Sequence, residues 1–182
     1  MEAGRRALSP LAGLACPPVL VLMGVSGSGK TTVARALGAD LGWAVEEGDA
    51  LHPPGNVKKM AAGVALTDAD RAPWLQLVRR WIDERVAAGQ GGIVTCSALK
   101  RRYRDVLHGP HIGFVHLSGT REQLLARVTR RTGHFMPASL LDSQLATLQP
   151  PGADECALTV QIDQPVDAQV AAIVAALPRR PA

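Results

Sequence analysis

"VLVLMGVSGSGKTTVARALG", Val19 to Gly38, decides the fold. Its first five residues are apolar without alternation, as in a strand buried on both faces, and "KTTVARALGADLG" has the spacing of a helix that stops at Gly42. Between them "GVSGSGKT", Gly24 to Thr31, satisfies G-x-x-x-x-G-K-[ST] in the strand, loop, helix context that gives this pattern its meaning. Glycines let the backbone wrap closely enough for several N–H groups to face phosphate oxygens, and the helix N-terminus adds partial positive charge. The loop therefore reads as a site for the phosphates of ATP or GTP, made by Gly24, Ser26, Gly27, Ser28, Gly29, Lys30, Thr31 and Thr32. Lys30 is expected to reach the β- and γ-phosphates, and the Thr31 hydroxyl to ligate Mg²⁺.

Outward from this loop the same alternation continues. "WAVEE", "GGIVTCSA", "IGFVHLS" and "ALTVQID" read as four more strands, and helices are expected around 70–88, 99–107, 121–132, 138–148 and 166–177. Apolar strands alternating with amphipathic helices predict an α/β fold, a parallel sheet with helices on both faces joined by right-handed crossovers. There is no internal repeat.

Composition narrows the class. A chain of 182 residues, 47% hydrophobic, holds one compact domain with a sizeable core. The net charge of +4 and a pI near 9.3 suit an anionic ligand. Three Trp, one Tyr and two Phe offer few platforms for stacking bases, and the basic residues form no single block, so nucleic acid is not expected as a partner. Cys16, Cys96 and Cys156 are odd in number and lack ligand spacing, which predicts neither a disulfide framework nor a zinc site and fits a reducing cytoplasm. The opening "MEAGRRALSPLAGLACP" invites a signal-peptide reading, but its apolar run is short and broken by Ser9 and Pro10. Residues 1–17 are expected to be a flexible tail, 18–178 the phosphate-loop domain and 179–182 a second tail. No apolar run approaches the eighteen or so residues that span a bilayer, so no membrane partner is expected.

A phosphate loop serves switches, motors and small-molecule kinases alike. A guanine-specific switch needs N-K-x-D and D-x-x-G segments, and neither occurs; motors place an acid at the end of a buried strand, whereas "IVTCS" ends in Cys96 and Ser97. A small kinase remains, and its acceptor must be sought at the carboxyl ends of the strands. "GDALHPPGNVKKM", Gly48 to Met60, is too polar for a core strand and too rich in Pro and Gly for a plain helix. Asp49, after a strand and a glycine, can take the proton from an attacking hydroxyl or hold a water on Mg²⁺. Lys59, Asp68 and Asp70 read as solvated positions.

"GVSGSGKTT", "EGDALHPPGNVKKMAAGVALTDADRAPWL", "CSALKRRYRD" and "GHFMPASLLDSQLATLQPP" together resemble the gluconokinases of the P-loop type, over nearly the whole chain from Val19 to about Leu177. The resemblance implies transfer of the γ-phosphate of ATP to the 6-hydroxyl of D-gluconate. It also implies a P-loop kinase three-layer sandwich with a five-stranded parallel sheet, a helical acceptor-binding segment after the second strand, about 48–75, a small lid about 127–140, and a cytoplasmic homodimer. The N-terminal extension has no counterpart in the family's core. The same fold with another acceptor, such as shikimate, and a non-catalytic ATP-binding regulator are the alternatives; the acceptor segment argues against the first, intact Lys30, Thr31 and Asp49 against the second.

Gluconate carries a carboxylate and five hydroxyls, so its pocket should offer cations at one end and hydrogen-bonding groups along the rest. His52, Lys58, Arg71 and Lys100 are candidate partners, with Arg71 suited to clamp the carboxylate bidentately. Ser97 is placed either to touch the sugar or transferred phosphate, or as an ordinary N-cap of the helix behind it. Arg127 and Arg131 lie four apart on one helix face, and the resemblance makes them lid arginines that neutralise charge on the phosphoryl oxygens, with His134 on the acceptor side. Trp43, Trp74 and Trp81 are expected in the core, and His108, His111 and His116 as structural residues.

Overall fold

The structure, a computed structural model, describes residues 9–130 and 138–178. Five strands, β1 (Val19–Met23), β2 (Ala44–Glu47), β3 (Gly92–Thr95), β4 (Ile112–Ser118) and β5 (Ala157–Gln161), form one sheet in the order β2-β3-β1-β4-β5. Every pairing is parallel, with Val21 opposite Val94 on one side and Phe114 on the other. The order reverses at β1, so the carboxyl ends of β1 and its neighbours open on the crevice where ligands bind in such sheets.

Period-two alternation sends neighbouring residues of β1 to opposite cores. Leu20 and Leu22 join Ile93, Val115 and Leu117 beneath the helices α1 (Lys30–Leu41), α5 (Arg121–Thr129) and α7 (Val166–Ala176). Val19, Val21 and Met23 join Val94 and Phe114 beneath α3 (Asp68–Ala87) and α4 (Arg101–Leu107). This is the three-layer sandwich expected, with α6 (Ala138–Thr147) packed against α5. Thr67 and Thr120 each close a reciprocal capping box on the first turn of α3 and α5, contacts worth about 1 kcal/mol apiece.

Two expectations are corrected. Pro54 to Ala61 does form a helix, α2, because proline fits a first turn, where its missing N–H has no intrahelical partner to lose. The N-terminal tail is not free as far as residue 17: Leu11 and Leu14 are buried in the first core, Ser9 Oγ donates to the Ala176 carbonyl at 2.8 Å, and Ala15 N–H to Pro110 at 2.9 Å. "LAGL" is apolar because it packs. Gly113 of β4 admits it, since a Cβ there would lie 2.7 Å from Leu14 and 2.9 Å from Leu11. Among the described residues no helix is long and apolar enough to cross a membrane, and Cys16, Cys96 and Cys156 are free thiols.

Candidate active site

The phosphate loop is held by its own backbone. Gly27 and Gly29 have φ of +82° and +94°, a region costly for side chains, and a Cβ on Gly27 would lie 2.6 Å from Val128. Gly24 N–H donates to the Ser97 carbonyl at 3.3 Å, joining the loop to the end of β3, and Lys30 Nζ donates to the carbonyls of Gly24 and Val25 at 3.0 and 3.1 Å. Ser28 is fully buried, and Thr32 faces outward on α1. Arg127 reaches the loop: its guanidinium donates to the Ile162 carbonyl and lies where a Cβ on Gly29 would be 3.3 Å away. Arg131 and His134 lie outside the described residues.

Beside the loop stands an acid that sequence reasoning missed. Glu47, the last residue of β2, accepts from Thr31 Oγ1 at 3.0 Å and from Thr95 Oγ1 at 2.8 Å. Its other oxygen, Oε1, is buried without a hydrogen bond among the described residues, with Arg35 3.7 Å off. A hydroxyl and a carboxylate at the phosphate end of the crevice suit a hard divalent cation that keeps most of its waters, and among the described residues no cluster of three or more His, Cys, Asp or Glu competes with them. The acid was sought at the end of the third strand; the second supplies it. "VEEGD" carried the signal, but only the register shows which glutamate meets Thr31.

Gly48 lets the chain turn away from β2 at once, for a Cβ there would lie 2.0 Å from the Thr95 carbonyl oxygen. The following 3-10 turn, Gly48–Leu51, puts Asp49 in an exposed position. Asp49 and Lys30 both act electrostatically on Cys96, whose thiol burial pushes up to about 12. His52 stacks on Trp74 at 4.3 Å, its Nδ1 accepts from Asn56 Nδ2 at 3.2 Å, and Trp74 Nε1–H holds the Gly48 carbonyl at 2.7 Å. Burial lowers the pKa of His52, against Asp49, which raises it, and with Arg71, which lowers it further.

The remaining candidates gather around Tyr103. Lys100, Arg102 and Arg71 lie 5.6, 5.7 and 6.0 Å from its ring centroid. Asp68 accepts from Lys100 Nζ at 2.9 Å and from Arg102 and the Tyr103 hydroxyl, and these bonds hold its carboxyl down at about 2. Asp68, expected to be merely solvated, is thus the one acid bonded to this basic cluster among the described residues. Arg71 donates to the Leu66 carbonyl. Lys58 is exposed on α2 and makes no side-chain bond among the described residues, so the structure does not bring it into the cluster. Ser97 is not an N-cap: Lys100 occupies that position of α4, and the intervening Ala98 has φ of +43°. Trp74 is buried as expected, and His116 is buried in β4 with its pKa lowered by burial and then by Arg104.

Residues 19–151 match the family described as the AAA domain, which fits the phosphate loop and its sheet. A gluconokinase of Gluconobacter oxydans is 60% identical over 146 residues, 79% of this chain and 82% of that protein. The chain belongs to the gluconokinase family. The thermoresistant gluconokinase of Escherichia coli is 43% identical over 86% of this chain and 91% of that one. The crystal structure of a gluconokinase from Sinorhizobium meliloti superposes with a TM-score of 0.80 at 44% identity, covering 88% and 91% of the two chains. Gluconokinase kinship accounts for the kinase fold, and it makes this chain a kinase.

Proposed function

We propose that this kinase transfers the γ-phosphoryl group of ATP to the 6-hydroxyl of D-gluconate, giving 6-phospho-D-gluconate and ADP. The observation that carries the reading is the basic cluster of Arg71, Lys100 and Arg102 around Tyr103, on elements that follow β2 and β3, whose carboxyl ends bond the phosphate loop through Glu47 to Thr31 and Ser97 to Gly24. The gluconokinase relatives agree with it.

In this reading the acceptor's carboxylate is held by Arg71 and Lys100, and its hydroxyl end lies toward Asp49. His52 and Ser97 offer hydrogen bonds along the chain of hydroxyls, while Lys58 and His134 stay outer candidates. Asp49 accepts the proton of the attacking hydroxyl as the new O–P bond forms and the bond from the γ-phosphorus to the bridging oxygen of ADP breaks. Lys30, Arg127 and Arg131 hold the phosphoryl oxygens, and the backbone of the loop fixes their position. Thr31, Glu47 and Asp49 are the residues that would hold Mg²⁺ or its waters, and the ion would supply charge neutralisation for the phosphates. The chain works as a homodimer in the cytoplasm.

The test is ADP release in a coupled assay with Mg²⁺-ATP across gluconate, shikimate, other sugar acids and nucleosides. Gluconate is expected to support turnover well above the rest; a stronger acceptor elsewhere in the panel refutes the assignment, and ATP binding without turnover refutes the kinase reading. Asp49→Asn is expected to lower kcat by about 10²- to 10⁴-fold with ATP affinity kept. Normal turnover would remove Asp49 from the role of base.

A further inference from the structure

Gln144 lies 118 residues from the phosphate loop in sequence and yet holds it directly. Its Oε1 accepts from the Ser26 N–H at 2.7 Å, and its Nε2 donates to Ser26 Oγ at 3.2 Å. Ser26 N–H and the Val25 carbonyl belong to one peptide unit. That same carbonyl accepts from Lys30 Nζ at 3.1 Å, and from Ser28 N–H at 3.3 Å. One planar peptide is therefore gripped from both ends, by Gln144 on its N–H and by the catalytic ammonium on its oxygen. Because the peptide is rigid, rotating it to lose one bond moves the other.

The helix that carries Gln144 is itself pinned. Asp142 takes both Nε and Nη2 of Arg121 on α5, at 2.6 and 3.0 Å, and Leu141 is fully buried in the first core. Just past the C-terminus of α6, Gln149 N–H donates to the Leu99 carbonyl at 2.8 Å, while its side chain accepts from Arg101 N–H at 2.6 Å, capping the start of α4. An amide presented from so well-anchored a helix is pre-organised, which is what a group that orients a catalytic site requires.

We infer that Gln144 is a positioning residue for phosphoryl transfer, acting through the Val25–Ser26 peptide on Lys30. Gln144→Met keeps the length and apolar body of the side chain and removes both bonds. It is expected to lower kcat about tenfold or more and raise the ATP KM several-fold, with the gluconate KM within twofold. Gln144→Glu keeps an acceptor for the Ser26 N–H and adds charge beside the phosphates. It is expected to recover kcat to within about threefold of the parent while leaving the ATP KM raised, the more so at low salt. That split separates positioning from a packing role, which would lower folded protein without separating kcat from KM, and melting temperature checks the fold of each variant. The inference is overturned if Gln144→Met keeps both kcat and the ATP KM within twofold, or if Gln144→Glu is no better in kcat than a folded Gln144→Met. Should the Met variant not fold, the Glu variant decides: raised ATP KM with near-parent kcat supports the inference, and parent values for both overturn it.

Discussion

In the phosphate loop the groups suited to a ligand are backbone amides whose directions are set by Gly24, Gly27 and Gly29; across the crevice, between Asp68 and Tyr103, they are side chains that hold one another. The loop is built from eight consecutive residues, the wall of basic side chains from α3, α4 and the turn after β2. Backbone geometry is stiff and tolerates few substitutions. A wall of cations around one tyrosine, with Asp68 bonded to it, can be re-aimed by one side chain, so specificity can change there without loss of the phosphate chemistry.

The largest expected effect tests the loop. Lys30→Ala is expected to lower kcat by about 10³-fold or more, because the proposed mechanism has this ammonium hold the transferred phosphoryl oxygens in a preorganised site. The fold should be kept, since neither core contains Lys30. Single-turnover phosphate transfer and a melting curve read the two quantities; normal transfer rates would end the contrast by showing that the loop needs no side-chain cation.

The same difference in construction explains what could be read in the string. The five strands, the helices other than α2 and the loop follow from local pattern, and even "IGFVHLS" matches β4 end to end, because a buried parallel strand is a continuous apolar run. Asp49, His52, Arg71 and Lys100 could be named from order along the chain. Glu47, Tyr103, Asp68 and Gln144 could not, since each gains its meaning from a partner 16 to 118 residues away. The Arg104–Glu155 pair is the plainest case: both carboxylate oxygens bond the guanidinium, at 2.5 and 3.0 Å, and the side chains are 1% and 6% exposed. Breaking such a buried pair costs about 3–5 kcal/mol, yet "KRRYRD" shows three arginines with nothing to tell which one is inside.

Arg71→Lys gives the middle effect and tests the wall. Lysine keeps the charge but loses the planar fork, so the gluconate KM is expected to rise about tenfold, with the ATP KM within about twofold. The reverse pattern would move Arg71 to the nucleotide side and merge the two regions that the structure separates. A rise in neither would hand the carboxylate to Lys100 and Arg102.

The smallest effect exploits a further asymmetry, for the wall contains a group that titrates near neutrality and the loop contains none. His52 is held neutral by burial against Trp74, with Arg71 adding to the effect and Asp49 opposing it, so its folded pKa lies below 6.5. The unfolded chain then binds more protons as pH falls below about 6.5, and stability must decline in that direction. Buried His116 contributes with the same sign. Asp68 and Asp70, both depressed to about 2, lose their contribution only between pH 3.8 and that value, outside the window. The melting temperature is therefore expected to be flat between about pH 7 and pH 8 and to fall by a few degrees toward pH 5, and His52→Gln should make the fall shallower, because His116 is then the one histidine with a lowered pKa among the described residues. An unchanged slope would mean that His52 gains its proton as easily in the folded protein as in the unfolded chain, and that its stack on Trp74 does not shield it from water. In that case the wall's charge pattern would vary with pH where the loop's does not, and the two halves of the site would separate in their pH dependence of binding instead of stability.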